Sequence, residues 1–220
     1  TVELQKLLDD LLFLARSESG SLGVPRRPVD LDDLVLEEAG RLRERGLVHV
    51  DVRAVSAART RGDPDQLSRV IRNLSSNAER HAAHRVSFEL RETNGWSELV
   101  VADDGPGIAP EFRDAVFERF TRLDEARSRD QGGSGLGLHL VYNLTTRLLG
   151  GTIELHSRPG DGCAFVLRIP RRPPGVRPGR RRTRRPSHRR GEASAARTPL
   201  GSGAYRVVDV RGRFIRCRHG

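Results

Sequence analysis

Apolar residues recur at Leu67, Val70, Ile71, Leu74 and Ala78, the three- and four-residue spacing of a helix that buries one face. Asp63-Pro64-Asp65 in front of them offers an N-cap, a first-turn proline and a first-turn acid, so a helix is expected over Pro64–His81. Residues 31–45 read as a second helix and residues 47–54 as a strand, with a short strand around Thr60. Around Thr93-Asn94-Gly95, residues 85–91 and 96–102 alternate apolar and polar positions, which signals a hairpin. Residues 110–117 suggest a short helix, and residues 135–149 a longer one stopped by Gly150-Gly151. A closing hairpin is expected from 152–156 and 162–169 across Pro159-Gly160-Asp161. Hairpin strands with interspersed helices predict an α/β protein, a two-layer α/β sandwich with one mixed sheet and helices on one face. The roughly 140 residues of 31–170 suffice for one such core.

The polar positions carry the chemistry. On the 64–81 helix, Arg69, Asn73, Asn77 and Arg80 fall on one stripe, two amides flanked by two guanidiniums. Carboxamide oxygens suit Mg²⁺ or its waters, and guanidiniums suit phosphates. Leu99, Val101 and Asp103 share one face of a strand that ends at Asp103, so its carboxylate should emerge beside an apolar wall. Two glycine-rich turns follow, Asp103-Asp104-Gly105-Pro106-Gly107-Ile108 and Gly132-Gly133-Ser134-Gly135-Leu136-Gly137-Leu138. Their N–H groups can approach phosphate without a Cβ in the way, and the second opens a helix whose positive end favours anions. Singly, each feature has a plain structural reading as a turn, a solvated helix face or a helix-end histidine. Jointly and in this order they read as a purine-nucleotide pocket.

Arg72-Asn73-Leu74-Ser75-Ser76-Asn77-Ala78-Glu79-Arg80-His81 resembles the N box of sensor histidine kinases. Asp103-x-Gly105-x-Gly107 resembles their G1 box, Phe117-Glu118-Arg119-Phe120 their F box and Gly133-x-Gly135-x-Gly137 their G2 box. The resemblance covers residues 1–170 and extends to the ATPases that include gyrase, the Hsp90 chaperones and MutL. It implies the Bergerat-type ATP-binding fold, with ATP and Mg²⁺ bound. Asp103 would accept a hydrogen bond from the adenine amino group, with Gly105 and Gly107 letting the chain close around the base. Asn73 and Asn77 would hold the metal, and Arg80 and His81 would sit near the phosphates. Residues 121–131 would form an ATP lid bearing Arg122 and Arg127, while Gly133, Gly135, Leu136 and Gly137 would lie against the triphosphate. The pattern departs from the family at Ser75, whose hydroxyl should bond back to a helix carbonyl, at Thr121, and at His139, an imidazole that either crowds the pocket or points outward.

Residues 1–19 carry Val2, Leu4, Leu7, Leu8, Leu11, Leu12 and Leu14 on a broad helical stripe. Periodicity alone fits a packing helix of the domain itself equally well. Its place ahead of a linker at 20–30 favours the end of the family's dimerisation and phosphotransfer hairpin. The chain begins at Thr1, contains no methionine, and has no segment resembling the family's H box. The phosphoacceptor histidine is therefore expected upstream, on a hairpin domain of the same kinase.

Charge changes the picture only at one end. Net charge is +10, but residues 171–220 hold 16 arginines against Glu192 and Asp209, which leaves −4 for residues 1–170. A nucleic-acid partner is accordingly not inferred from the basic pI. The Arg/Pro-rich tail should be disordered, a solvated or misread extension rather than a functional basic arm. Cys163 and Cys217 form neither a disulfide framework nor a zinc-like spacing, and no apolar run matches a membrane span. The expectation is a cytoplasmic kinase domain of a membrane-anchored, homodimeric parent, passing the γ-phosphoryl of ATP to a histidine and then to a response regulator's receiver domain. The alternatives are a nucleotide-dependent interaction module, an anti-sigma-factor-like serine kinase, or a chaperone-type ATPase.

Overall fold

The computed structural model describes residues 8, 11–12, 27–121 and 135–171. Residues 8, 11 and 12 are helical and their leucines are exposed. The rest of 1–26, most of the lid and the tail beyond 171 lie outside the described residues.

Strand β1 (Arg27–Asp30) leads into helix α1 (Leu31–Arg45), strands β2 (His49–Val55) and β3 (Arg59–Gly62), and helix α2 (Pro64–His81). Strands β4 (Arg85–Thr93) and β5 (Trp96–Asp103) form the first hairpin; helix α3 (Gly137–Asn143) precedes the second, β6 (Thr152–Ser157) and β7 (Cys163–Pro170). The main sheet has the order β2-β4-β5-β7-β6, with β2 parallel to β4 and every other pair antiparallel. It is the mixed sheet expected.

Period-two alternation sends Val86, Phe88 and Leu90, Leu99 and Val101, Phe165, Leu167 and Ile169, and Ile153 and Leu155 into one core. Leu31, Val35, Ala39 and Leu42 of α1, the stripe Leu67 to Ala78 of α2, and Leu140 and Val141 of α3 join that core. Each such side chain contributes on the order of 1.5–3 kcal/mol by leaving water. The same strands carry a row of ion pairs, Arg91–Glu98–Arg168–Glu154, with Glu98 to Arg168 at 2.6 Å and Arg168 to Glu154 at 2.7 Å. Those residues alternate with the core positions, so the row lies on the opposite face; among the described residues, the helices that join the core lie on the other.

The boundaries of α2 are set as its sequence predicts. Asp63 accepts the Asp65 N–H at 3.0 Å and Pro64 opens the first turn. Asn94 and Gly95 turn the β4–β5 hairpin at φ 48° and 84°, the positive values that a tight two-residue turn requires.

Four expectations need correction. The linker drawn at 20–30 ends in a strand, because residues 27–30 pair antiparallel with β3, and Pro28 is tolerated since neither strand has a second neighbour. The strand placed at 47–54 begins two residues later. The helix expected at 110–117 is two separate 3₁₀ turns, Pro110–Phe112 and Ala115–Phe117; so short a segment cannot offset helix nucleation, and Val116 and Phe117 are instead drawn into the core. The helix at 135–149 begins at Gly137 and widens after Asn143 into a π turn, Leu144–Leu148. There the Thr146 hydroxyl donates back to the Tyr142 carbonyl at 2.7 Å and competes with the backbone ladder.

Candidate nucleotide site

Asp103 closes β5 at the rim of the core, and the register explains why it is buried: it stands between Val86 of β4 and Cys163 of β7. Its Oδ1 accepts the Gly105 N–H at 3.0 Å, and its Oδ2 is buried with no hydrogen-bond partner. Burial pushes the Asp103 carboxyl above the usual carboxylate range, against the pull of the Gly105 and Cys163 N–H groups. An acceptor buried without a donor is costly in an apo fold and is the arrangement that a ligand N–H would complete. Cys163, beside it, is a buried thiol whose pKa burial pushes up to about 11, so it remains protonated.

The two glycines after Asp103 are required by close backbone approach. A Cβ at Gly105 would lie 2.1 Å from the His81 carbonyl oxygen, at the end of α2. Gly107 has φ +72°, and a Cβ there would lie 1.9 Å from the Arg158 carbonyl oxygen in the β6–β7 turn. That turn supports the G1 segment from below: Gly160 N–H donates to Pro106 O at 2.7 Å, and Ile108 N–H to the Ser157 hydroxyl at 2.7 Å. The Ser157 hydroxyl in turn donates to Gly162 O at 2.8 Å. Sequence reasoning missed Ser157, and a lone serine in an alternating strand gives no signal of such a role.

On α2, Asn73 donates its amide N–H to Arg69 O at 2.8 Å, which fixes the side chain and leaves Oδ1 on the other side. That oxygen would sit 3.0 Å from a Cβ on Gly137, so the N-box amide and the last G2 glycine face each other directly. Asn77 is half-buried one turn further on, and Arg80 and His81 are exposed at the helix end. Two carboxamides on one helix face are an oxygen-donor set suited to a hard cation. Leu136 is fully buried, and the Gly135 carbonyl accepts the Phe120 N–H at 3.1 Å. Arg122, Arg127 and Gly133 lie outside the described residues.

His139 neither crowds the site nor points into water. Its Nδ1 meets the Phe117 carbonyl oxygen at 2.9 Å, while its Nε2 lies 3.1 Å from Arg119 Nε and 2.8 Å from Asn143 Nδ2. One donor and one doubly used acceptor match a neutral imidazole, and burial, with Arg119 and Arg147 nearby, lowers its pKa. The imidazole ties the F box to α3, and Phe117 packs edge-on against Phe165 of β7.

Fold and site together define a nucleotide-binding α/β sandwich, built around a buried carboxylate, an amide-bearing helix and two glycine turns. Residues 62–173 match the family model described as histidine kinase-, DNA gyrase B-, and HSP90-like ATPase, and the chain belongs to that family. Among its relatives is the sensor-like histidine kinase SenX3 of Mycolicibacterium smegmatis, 35% identical over 77% of this chain and 45% of the relative. The solved structure of the mycobacterial sensor histidine kinase MprB is similar at TM-score 0.57 and 31% identity, over 67% of this chain and 99% of that one. Full-length ShkA in complex with AMPPNP is similar at TM-score 0.66 and 27% identity, over 76% of this chain and 35% of that one. The domain is thus an ATP-binding catalytic domain of the sensor histidine kinase type. The chain spans less than half the length of SenX3. Among the described residues, no helix is long and apolar enough to cross a membrane.

Proposed function

We propose that this chain supplies the catalytic step of a two-component sensor histidine kinase: transfer of the γ-phosphoryl group of Mg-ATP to a histidine on a hairpin domain, for relay to a response regulator's receiver domain. The reading rests above all on one observation, the unpartnered Oδ2 of Asp103 at the edge of the core. A purine amino group donates where that oxygen lacks a donor, and ShkA's complex with AMPPNP supports a nucleotide in this fold.

In this reading Asn77 and Asn73 would hold Mg²⁺ through their carboxamide oxygens, and the ion would supply charge neutralisation. Arg80 and the lid residues Arg122 and Arg127 stabilise the charge that builds on the transferring group, while His81 stands beside the phosphates. Gly133, Gly135, Leu136 and Gly137 give the triphosphate a backbone surface. Such a site works by positioning and electrostatics, with no covalent step on the domain itself. The parent protein is a homodimer anchored in the plasma membrane, with this domain on the cytoplasmic side.

The test is phosphorylation in trans. The chain is incubated with radiolabelled Mg-ATP and the separately expressed hairpin domain of a relative such as SenX3. Acid-labile, base-stable label on the hairpin histidine is the expected result. ATP bound with no label transferred would instead support a nucleotide-switched interaction module.

A further inference from the structure

Asp103 and Asp104 are adjacent in sequence and have opposite surroundings. Asp103 Oδ2 has no partner, whereas Asp104 Oδ1 accepts three backbone N–H groups, from Ala83 at 3.0 Å and from His84 and Arg85 at 2.9 Å. These three residues carry the chain out of α2 and into β4. The Asp104 N–H also donates to the Arg85 carbonyl at 3.3 Å. Successive backbone N–H groups converging on one oxygen form an anion cradle, filled here by the protein's own side chain. Desolvation opposes the charge, but the N–H donors outweigh it and hold the Asp104 carboxyl below the usual carboxylate range.

The cradle sits at the corner where the two halves of the site meet. Helix α2 carries Asn73, Asn77 and Arg80, and β5 carries Asp103. The next residue, Gly105, packs against the His81 carbonyl so closely that no Cβ fits. Asp104 and Gly105 therefore clamp the end of α2 to the end of β5 from two sides. We infer that Asp104 is a positioning residue, which fixes the spacing between the base-reading carboxylate of Asp103 and the phosphate-facing residues of α2. The Asp104 Oδ1 is committed to three backbone N–H groups, so that oxygen acts on the chain itself. The inference rests on the nucleotide-site reading above.

A spacing residue and a merely stabilising one differ in which ligand suffers. Adenosine uses only the base end, whereas Mg-ATP needs both ends at the correct separation. Dissociation constants for adenosine and Mg-ATP are measured on the full chain, on Asp104→Ala and on Asp104→Asn, at a temperature where circular dichroism shows each folded. Asp104→Ala is expected to weaken Mg-ATP about tenfold or more while changing adenosine by less than about twofold. Asp104→Asn keeps a carbonyl oxygen for the N–H groups and is expected within about threefold of the parent for both ligands. If Asp104→Ala does not fold, Asp104→Ser, whose hydroxyl can satisfy only part of the cradle, carries the same comparison. Equal losses for both ligands, unchanged Mg-ATP affinity in the truncated variant, or an Asn variant as weak as Ala would each overturn the inference. A parent chain that binds no Mg-ATP would overturn the nucleotide-site reading itself, a distinguishable failure.

Discussion

The buried carboxylate of Asp103 carries a cost for the stability of its own fold. Because burial raises its pKa, folding favours the protonated form, and stability falls as pH rises from the ordinary aspartate value through the raised folded value. Asp103→Asn keeps an oxygen for the Gly105 N–H and removes the buried charge. Its apo melting temperature is expected to equal or exceed the parent's at neutral pH, as scanning calorimetry would show; a clear drop would mean that the carboxylate is structural. His139 runs the other way. Its lowered pKa means that folding favours the neutral ring, so its contribution is complete above the ordinary histidine pKa and is lost as pH falls through the depressed folded value. Arg119 from the F box and Arg147 from the π turn both disfavour a second proton there. Urea unfolding at stepped pH is expected to show a loss of stability on acidification through the histidine range that is reduced in His139→Asn. An identical slope in the two proteins would remove this role.

Helices α1 and α2 meet at a buried polar contact within an otherwise apolar interface. The Ser75 hydroxyl lies 2.8 Å from Glu38 Oε1 and 3.1 Å from Arg72 O, and Arg41 pairs with the second oxygen of Glu38 at 3.0 Å. The single Ser75 proton serves the shorter contact to Glu38, so the expected back-bond is only the longer arm of a shared bond to Arg72 O; the α1 partner was not legible, since nothing in the α1 stripe marks Glu38 as its buried acid. Removing the hydroxyl leaves a buried carboxylate oxygen without that bond. Ser75→Ala is expected to cost about 1–3 kcal/mol in urea unfolding, and a change below about 0.5 kcal/mol would show that Arg41 and Arg72 satisfy Glu38 without the hydroxyl. Helix α2 could be read from the sequence because its apolar period and its Asp63 cap agree. Strand β1 could not, since four residues containing a proline carry no period, and its pairing with β3 is a long-range event. The π turn also escaped, because its apolar residues still follow a helical spacing while Thr146 breaks the ladder from the side.

Across the whole molecule, the candidate site was legible in the sequence where chemistry is concentrated in few residues. Asp103 at a strand end, the amides of α2 and the glycines each combine a required residue type with a required place. What the sequence left hidden is the support: Asp104 in its cradle, Ser157 under the G1 segment, and His139 turned to the F box are fixed by contacts between segments distant in the chain. The glycines also proved to be doubly determined. Gly105 and Gly107 are held by backbone packing before any nucleotide enters, so alanine at Gly107 is expected to strain the fold as well as the site. The proposed magnesium-dependent ATP site, with Asp103 at its base end, is open to calorimetric titration of the full chain with ATP, in magnesium and in chelator, alongside Asp103→Asn. Saturable binding that requires magnesium and weakens about tenfold or more in the variant is the predicted result. Binding by Asp103→Asn equal to the parent's, or no binding by a parent chain shown to be folded, would contradict it.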